Sequence, residues 1–202
     1  PSLVGSEMCI RDRHMNMSLH NEAGENVFND KNDPNGMSKE AYYFIGGLMK
    51  HIKAMTFITN PIVNSYKRFV PGFEAPVHIA WSRKNRTPLI RIPADRGGNV
   101  RIELRSPDTA ANPYLALAVC LAAGLDGIRS KIMPPDSIDR NLFEMSEEEL
   151  KEAGVEKLPM NLMEACQEFE KDEYIKNVLG NDLVQKYTQA KKKEYELSLI
   201  HI

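Results

Sequence analysis

The stretch Arg101-Ile102-Glu103-Leu104-Arg105 decides how this 202-residue chain is read. On a strand, side chains alternate, so Arg101, Glu103 and Arg105 point one way and Ile102 and Leu104 point to the opposite, buried face. One acid between two guanidiniums is a charge cluster held on a rigid element. The acid can bind a divalent metal while the arginines take anionic oxygens. The plainer reading of this strand alone is a solvated salt-bridge ladder, which stabilises little.

Working outward, Arg86 and Arg91 flank a strand expected over Leu89 to Ile92, and Arg68 ends the segment Asn64-Ser65-Tyr66-Lys67-Arg68. Five arginines interleaved with apolar strand residues suggest a site for several negative charges. Phosphoryl transfer needs such a site, because its transition state spreads charge over oxygens and catalysis is mostly positioning and charge stabilisation. A nucleic-acid groove would also use arginines, with aromatics for stacking, and Tyr66, Phe69, Phe73 and Trp81 are the nearby candidates. His14, Asn16 and Ser18 form a second polar row on a strand whose other face is Met15, Met17 and Leu19. His14 can be a metal ligand and Ser18 a nucleotide contact, although a lone His is more often structural. Glu74 sits in a loop between Pro71 and Pro76, where it is either a general base or cation site or a solvated acid.

The remaining elements follow from local signals. Ser38 is an N-cap for a helix running to about Met55, with Ala41, Phe44, Ile45, Leu48, Ile52 and Met55 at helical spacing. Asn60-Pro61 breaks it, and a loop-like segment follows. Strands are expected over Val77 to Ser82, Leu89 to Ile92 and Val100 to Arg105. Asn112-Pro113 starts a helix that is apolar nearly all round and so should be buried, with Gly124 and Gly127 loosening its end. Ser146 with Glu149 and Asn161 with Glu164 read as capping boxes opening two short surface-facing helices. A last helix is expected from Asn181 to Glu196.

Composition sets the frame. The chain is 42% hydrophobic and 27% charged with net charge −2, which suits a globular protein and argues against a nucleic-acid or membrane-surface protein as a whole. The charge is uneven: arginine-rich between Arg83 and Arg105, acidic around Glu147 to Glu149 and Glu168 to Glu173. Cys9, Cys120 and Cys166 are far apart with no CxxC spacing, so a reducing, cytoplasmic setting is expected. The longest apolar run, Leu115 to Ala123, is far short of the roughly 20 residues of a membrane span. Residues 1–13 and 197–202 read as non-native, adapter-like ends outside the fold, leaving 14–196 as one domain.

Taken together, these motifs resemble glutamine synthetase of the bacterial type I kind. Asn60-Pro61, Asn64 to Arg68 and Pro71-Gly72-Phe73-Glu74-Ala75-Pro76 look like that family's glutamate-site and flap region. Asn85-Arg86, Ile90-Arg91-Ile92-Pro93, Arg101 to Arg105 and Ala110 to Ala116 look like its nucleotide and metal region. The resemblance implies an α+β fold: part of the catalytic domain, a curved antiparallel sheet backed by helices, with Leu115 to Ala123 in the core. It implies His14 and Glu103 as ligands of Mg2+ or Mn2+, Asn16 and Ser18 near the nucleotide, and Arg91 and Arg101 on ATP phosphates. Arg86 would stabilise the transferring phosphoryl group, Arg68 and Arg105 would bind glutamate, and Glu74 would help deprotonate ammonium. The implied partners are L-glutamate, ammonium and ATP in a homo-oligomer, dodecameric in the family, without nucleic acid or membrane.

The departures matter too. The family's glycine-rich lead-in, its upstream metal-binding glutamates and its small N-terminal domain do not precede His14, so the chain as given is expected to be inactive alone. Phe143, in a segment resembling the loop that carries a modified tyrosine in some members, has no hydroxyl to modify. A γ-glutamyl-polyamine ligase of the same fold, or a non-catalytic relative, are the alternatives.

Overall fold

The computed structural model describes residues 13–69, 75–93 and 99–200. Glu74, the expected flap carboxylate, lies outside them. Strand β1 is Met15–Met17. Its alternation is as read: Met15 is buried, while His14, Asn16 and Ser18 are exposed. Helix α1, Lys39–Thr59, starts at Ser38, whose hydroxyl accepts from the Ala41 amide, and ends at Asn60. The helix runs one turn beyond Met55 because only Pro61 stops it: Thr56, Phe57, Ile58 and Thr59 are all buried. The segment read as loop contains a 3-10 turn, Val63–Arg68.

The expected strands form as short pieces: β2 (His78–Ile79), β3 (Trp81–Ser82), β4 (Ile90–Arg91) and β5 (Ile102–Leu104). The sheet order is β1-β5-β4-β3. The β1–β5 and β5–β4 pairs are antiparallel, but β3 pairs with β4 in parallel, so the sheet is mixed rather than wholly antiparallel. β2 pairs instead with β6, Glu156–Lys157, a strand the sequence did not suggest.

Helix α2, Pro113–Ser130, is capped by Asn112, whose Oδ1 accepts from the Tyr114 and Leu115 amides. Two expectations about it are corrected. It is not buried all round: Ala116, Val119, Cys120, Ala123, Gly124 and Gly127 are buried, but Tyr114, Leu117 and Leu121 are exposed. Nor do its glycines loosen it. They let α1 and α2 touch, because a Cβ on Gly127 would meet the Tyr43 carbonyl and one on Gly47 the Ala123 carbonyl. The helix ends instead at Lys131, in the left-handed region at φ 52°.

The rest is helical: α3 (Glu147–Glu152), α4 (Leu162–Lys171), α5 (Glu173–Leu179) and α6 (Asn181–Ile200). The Ser146–Glu149 capping box forms in full. At α4 the Asn161 side chain caps Glu164, and Glu164 returns to the Met160 amide. α4 is not merely superficial, since Leu162, Ala165, Cys166 and Phe169 join the main core. α5 was not foreseen, and α6 continues past Glu196 to Ile200. No helix of the described residues is long and apolar enough to cross a membrane.

Candidate functional site

Strand register assembles the site. Asn16 on β1 and Arg91 on β4 both stand opposite Glu103 on β5. Ile102 and Leu104 turn to the other face and are fully buried, so the strand offers one apolar and one charged face. Glu103 is 4% exposed. Its Oε1 lies 2.9 Å from His14 Nδ1, and its Oε2 lies 3.1 Å from an Arg91 terminal nitrogen. Arg105 Nε is 4.0 Å from Oε1. The solvated ladder is therefore corrected to a buried, shared carboxylate.

Around this acid stand more cations than it can neutralise. Arg105, 7% exposed, donates to the main-chain carbonyls of Arg86 and Pro88, which fixes its fork. Arg101 Nε donates to Asn16 Oδ1 at 3.1 Å, spanning β5 and β1 at the exposed edge. The Arg86 side chain is exposed, on the loop before β4. Ser18 is exposed just past β1. Excess guanidinium around one desolvated acid makes a positive surface that attracts anionic oxygens.

Arg68 occupies a neighbouring position rather than the same cluster. One terminal nitrogen donates to Asn60 Oδ1 at 3.1 Å and the other to the Ser106 carbonyl at 3.4 Å, next in chain to Arg105. Asp108 Oδ2 is 3.7 Å away, and the guanidinium lies 5.9 Å from the Phe69 ring centroid. A cavity of about 440 Å3 opens here, lined by Asn64, Lys67, Arg68, Asp108 and Thr109 among others. Sequence reasoning missed Asp108, and it read Asn60 as a helix breaker within the segment resembling the glutamate site, without a side-chain role of its own. Asn60 is fully buried, which only the structure shows.

Two donors are apt for a divalent cation, the Glu103 carboxylate and the His14 imidazole. They face each other at hydrogen-bond distance, and among the described residues no third His, Cys, Asp or Glu joins them. They fit as part of a coordination set, not as a complete one.

A second polar centre was also missed. His51, 3% exposed, places Nδ1 2.6 Å from Asp172 Oδ2 and Nε2 3.0 Å from Asp126 Oδ2. Lys50 pairs with the same Asp126 at 2.8 Å, and Tyr174 stacks on the ring. Burial alone would lower the His51 pKa, but the hydrogen bonds its ring donates to both carboxylates outweigh it and the pKa is raised. Against their own partial desolvation, Asp126 is held below its usual range by Lys50 and His51, and Asp172 by His51 and backbone amides. This centre ties α1 to α2 and α5.

Fold and site together define a mixed α+β domain with a cationic face built around one buried carboxylate. The family model for the glutamine synthetase catalytic domain matches residues 6–201, and the chain belongs to that family. It is 53% identical over 183 residues to a glutamine synthetase of Clostridium saccharobutylicum, covering 91% of this chain and 41% of the relative. A Thermotoga maritima glutamine synthetase is 49% identical over 183 residues, covering 91% and 42%. A solved structure of GmaS with ADP superposes with a TM-score of 0.84 at 36% identity, over 95% of this chain and 44% of that one. The chain thus spans about two fifths of the relatives' length.

Proposed function

We propose that this chain is part of an ATP-dependent ligase that joins ammonia to the side-chain carboxylate of L-glutamate through γ-glutamyl phosphate. The observation that carries the reading is the Glu103 carboxylate shared between His14 and Arg91 within an arginine-rich face of a glutamine synthetase family domain. The likeness to a structure of GmaS in complex with ADP supports nucleotide use by the longer protein. Arg91 and Arg101 hold ATP phosphates, with Asn16 and Ser18 beside the nucleotide. Arg86, exposed on the loop before β4, stabilises the transferring phosphoryl charge. Arg105 and Arg68 bind glutamate, the first held rigid by the Arg86 and Pro88 carbonyls, the second by Asn60 and Ser106. Glu74 accepts the ammonium proton.

His14 and Glu103 would hold Mg2+ or Mn2+ together with further donors. When bound, the cation offsets phosphate charge. Two donors among the described residues do not complete a site, and the chain spans about two fifths of its relatives' length, so the isolated chain should form no glutamine; formation dependent on ATP, glutamate and ammonium by the purified chain would refute this. The family setting further suggests a cytoplasmic homo-oligomer.

The test uses the longer protein that carries this sequence. Glutamine and phosphate should form together, and Arg86→Ala should lower kcat by ~100-fold with KM for ATP little changed, as for loss of one transition-state donor. Absence of glutamate-dependent phosphate release would overturn the reading. The likeness to GmaS as well as to glutamine synthetases leaves the amine as the finer question. Comparing kcat/KM for ammonium, methylamine and putrescine decides it, and a preference for either organic amine would replace ammonia as the acceptor.

A further inference from the structure

Arg86 is followed by Thr87 and Pro88, and a residue before proline is biased to extended backbone. The rest of the arginine's loop, between β3 and β4, has no regular structure. Such a loop is held by what its polar groups reach. Oγ of the buried Ser82 accepts from the Lys84 and Asn85 amides at 3.1 and 3.0 Å. Asn85 Oδ1 accepts from the Thr87 amide at 3.0 Å, so an Asx turn spans Arg86. The Arg86 carbonyl takes the Arg105 guanidinium.

A distant segment, residues 138–142, straps this loop down. The Ile138 amide donates to the Trp81 carbonyl at 3.0 Å, just ahead of the loop. Ser82 Oγ donates to Asp139 Oδ1 at 2.7 Å, so the hydroxyl that caps the loop is itself oriented by Asp139. Asn85 Nδ2 donates to the Arg140 carbonyl. The Leu142 amide donates to Thr87 Oγ1 at 3.3 Å. The residues on either side of Arg86 are thus tied to one strap, while the Arg86 side chain between them is exposed. Leu142 anchors the strap, fully buried in the small cluster with Ala80 and Leu150. A donor to a transition state must be placed closely, since an error of about 1 Å can cost ~100-fold in rate.

We propose that Asn85, Thr87 and Asp139 are positioning residues for Arg86: the 138–142 strap holds the backbone on both sides of the arginine, so that its guanidinium is delivered to the transferring phosphoryl group. The inference rests on Arg86 being the residue that meets that group. Asn85 and Thr87 act through the backbone of Arg86, and Asp139 acts through Ser82.

Steady-state kinetics of the longer protein that carries this sequence test it. Thr87→Val removes the acceptor of the Leu142 amide, and Asp139→Ala removes the acceptor of the Ser82 hydroxyl. Each should lower kcat by about 10-fold with KM for ATP and for glutamate little changed. Thr87→Ser and Asp139→Asn keep an acceptor oxygen and should recover most of the loss. In an Arg86→Ala background neither Thr87→Val nor Asp139→Ala should lower kcat further, because groups that act as a unit are not additive. Asp139 is exposed, so Asp139→Ala decides the matter if Thr87→Val does not fold. Unchanged kcat overturns the proposal. So does the same fold-loss with and without Arg86, which would make the strap structural only. If Arg86→Ala itself leaves kcat intact, the phosphoryl role of Arg86 fails and this inference falls with it. If Arg86→Ala lowers kcat and the strap variants do not, only this inference falls.

Discussion

Burying a carboxylate costs several kcal/mol unless cations and hydrogen-bond donors replace its lost hydration, and Glu103 has Arg91 against one oxygen and the His14 ring against the other. Glu103→Ala should therefore leave Arg91 and the buried Arg105 uncompensated and destabilise the chain by ~3 kcal/mol, read from urea unfolding. A loss under about 0.5 kcal/mol would show that solvent already screens the cluster. The alternation of Arg101, Glu103 and Arg105 was legible from five residues, because strand periodicity needs no partner. That Glu103 is buried was not legible. Its burial comes from β1 and β4 on either side, and neither is adjacent in sequence. Arg68 gives the same lesson: its partners Asn60, Ser106 and Asp108 converge only after α1 and β5 are placed.

Between elements, two devices join α1 to its neighbours. Where α1 crosses α2, glycines on both helices replace side-chain packing by backbone contact. In an open helix Gly→Ala gains up to about 1 kcal/mol. Gly47→Ala should instead destabilise, by ~1–3 kcal/mol or more, because its Cβ would press on the Ala123 carbonyl and the Gly127 backbone. A thermal midpoint at or above that of the unmodified chain would contradict the contact.

The other device is the His51 centre, and it carries a pH signature. The folded His51 pKa is raised above 6.5, so its contribution is fully present below pH 6.5 and is lost as pH rises through the folded value. The Asp126 and Asp172 pKa values are lowered from 3.8, so their contributions are present above 3.8 and are lost as pH falls through the folded values. This centre is thus strongest between about 4 and 6.5. The stability difference between the chain and His51→Gln, measured by urea unfolding, should shrink as pH rises from 6 to 9. A difference independent of pH would rule out a charged His51.

Across the whole molecule, one core cluster runs from Met15 on β1 through α1, the sheet and α2 to Phe169 and Ile175. A separate small cluster of Ala80, Leu142 and Leu150 holds α3. Segments with few buried contacts open below the global free energy. Hydrogen exchange in α3 should therefore precede exchange in α1 and α2, whereas simultaneous exchange would mean that α3 shares the main cooperative unit.

The sequence by itself determined the family, the capped starts of α1, α2, α3 and α4, the polar and apolar faces of β1 and β5, and the arginines that crowd one region. These depend on local spacing, on side chains that bond backbone within three residues, and on motif order. Only the tertiary structure decided that β3 runs parallel to β4, that Gly124 and Gly127 are contact points, that His51 bridges three helices, and that one flank of α2 is left apolar in water. Those outcomes depend on which distant segments meet. Burial and partnership belong to pairs of surfaces, and one strand or helix read alone carries only its own half of each pair.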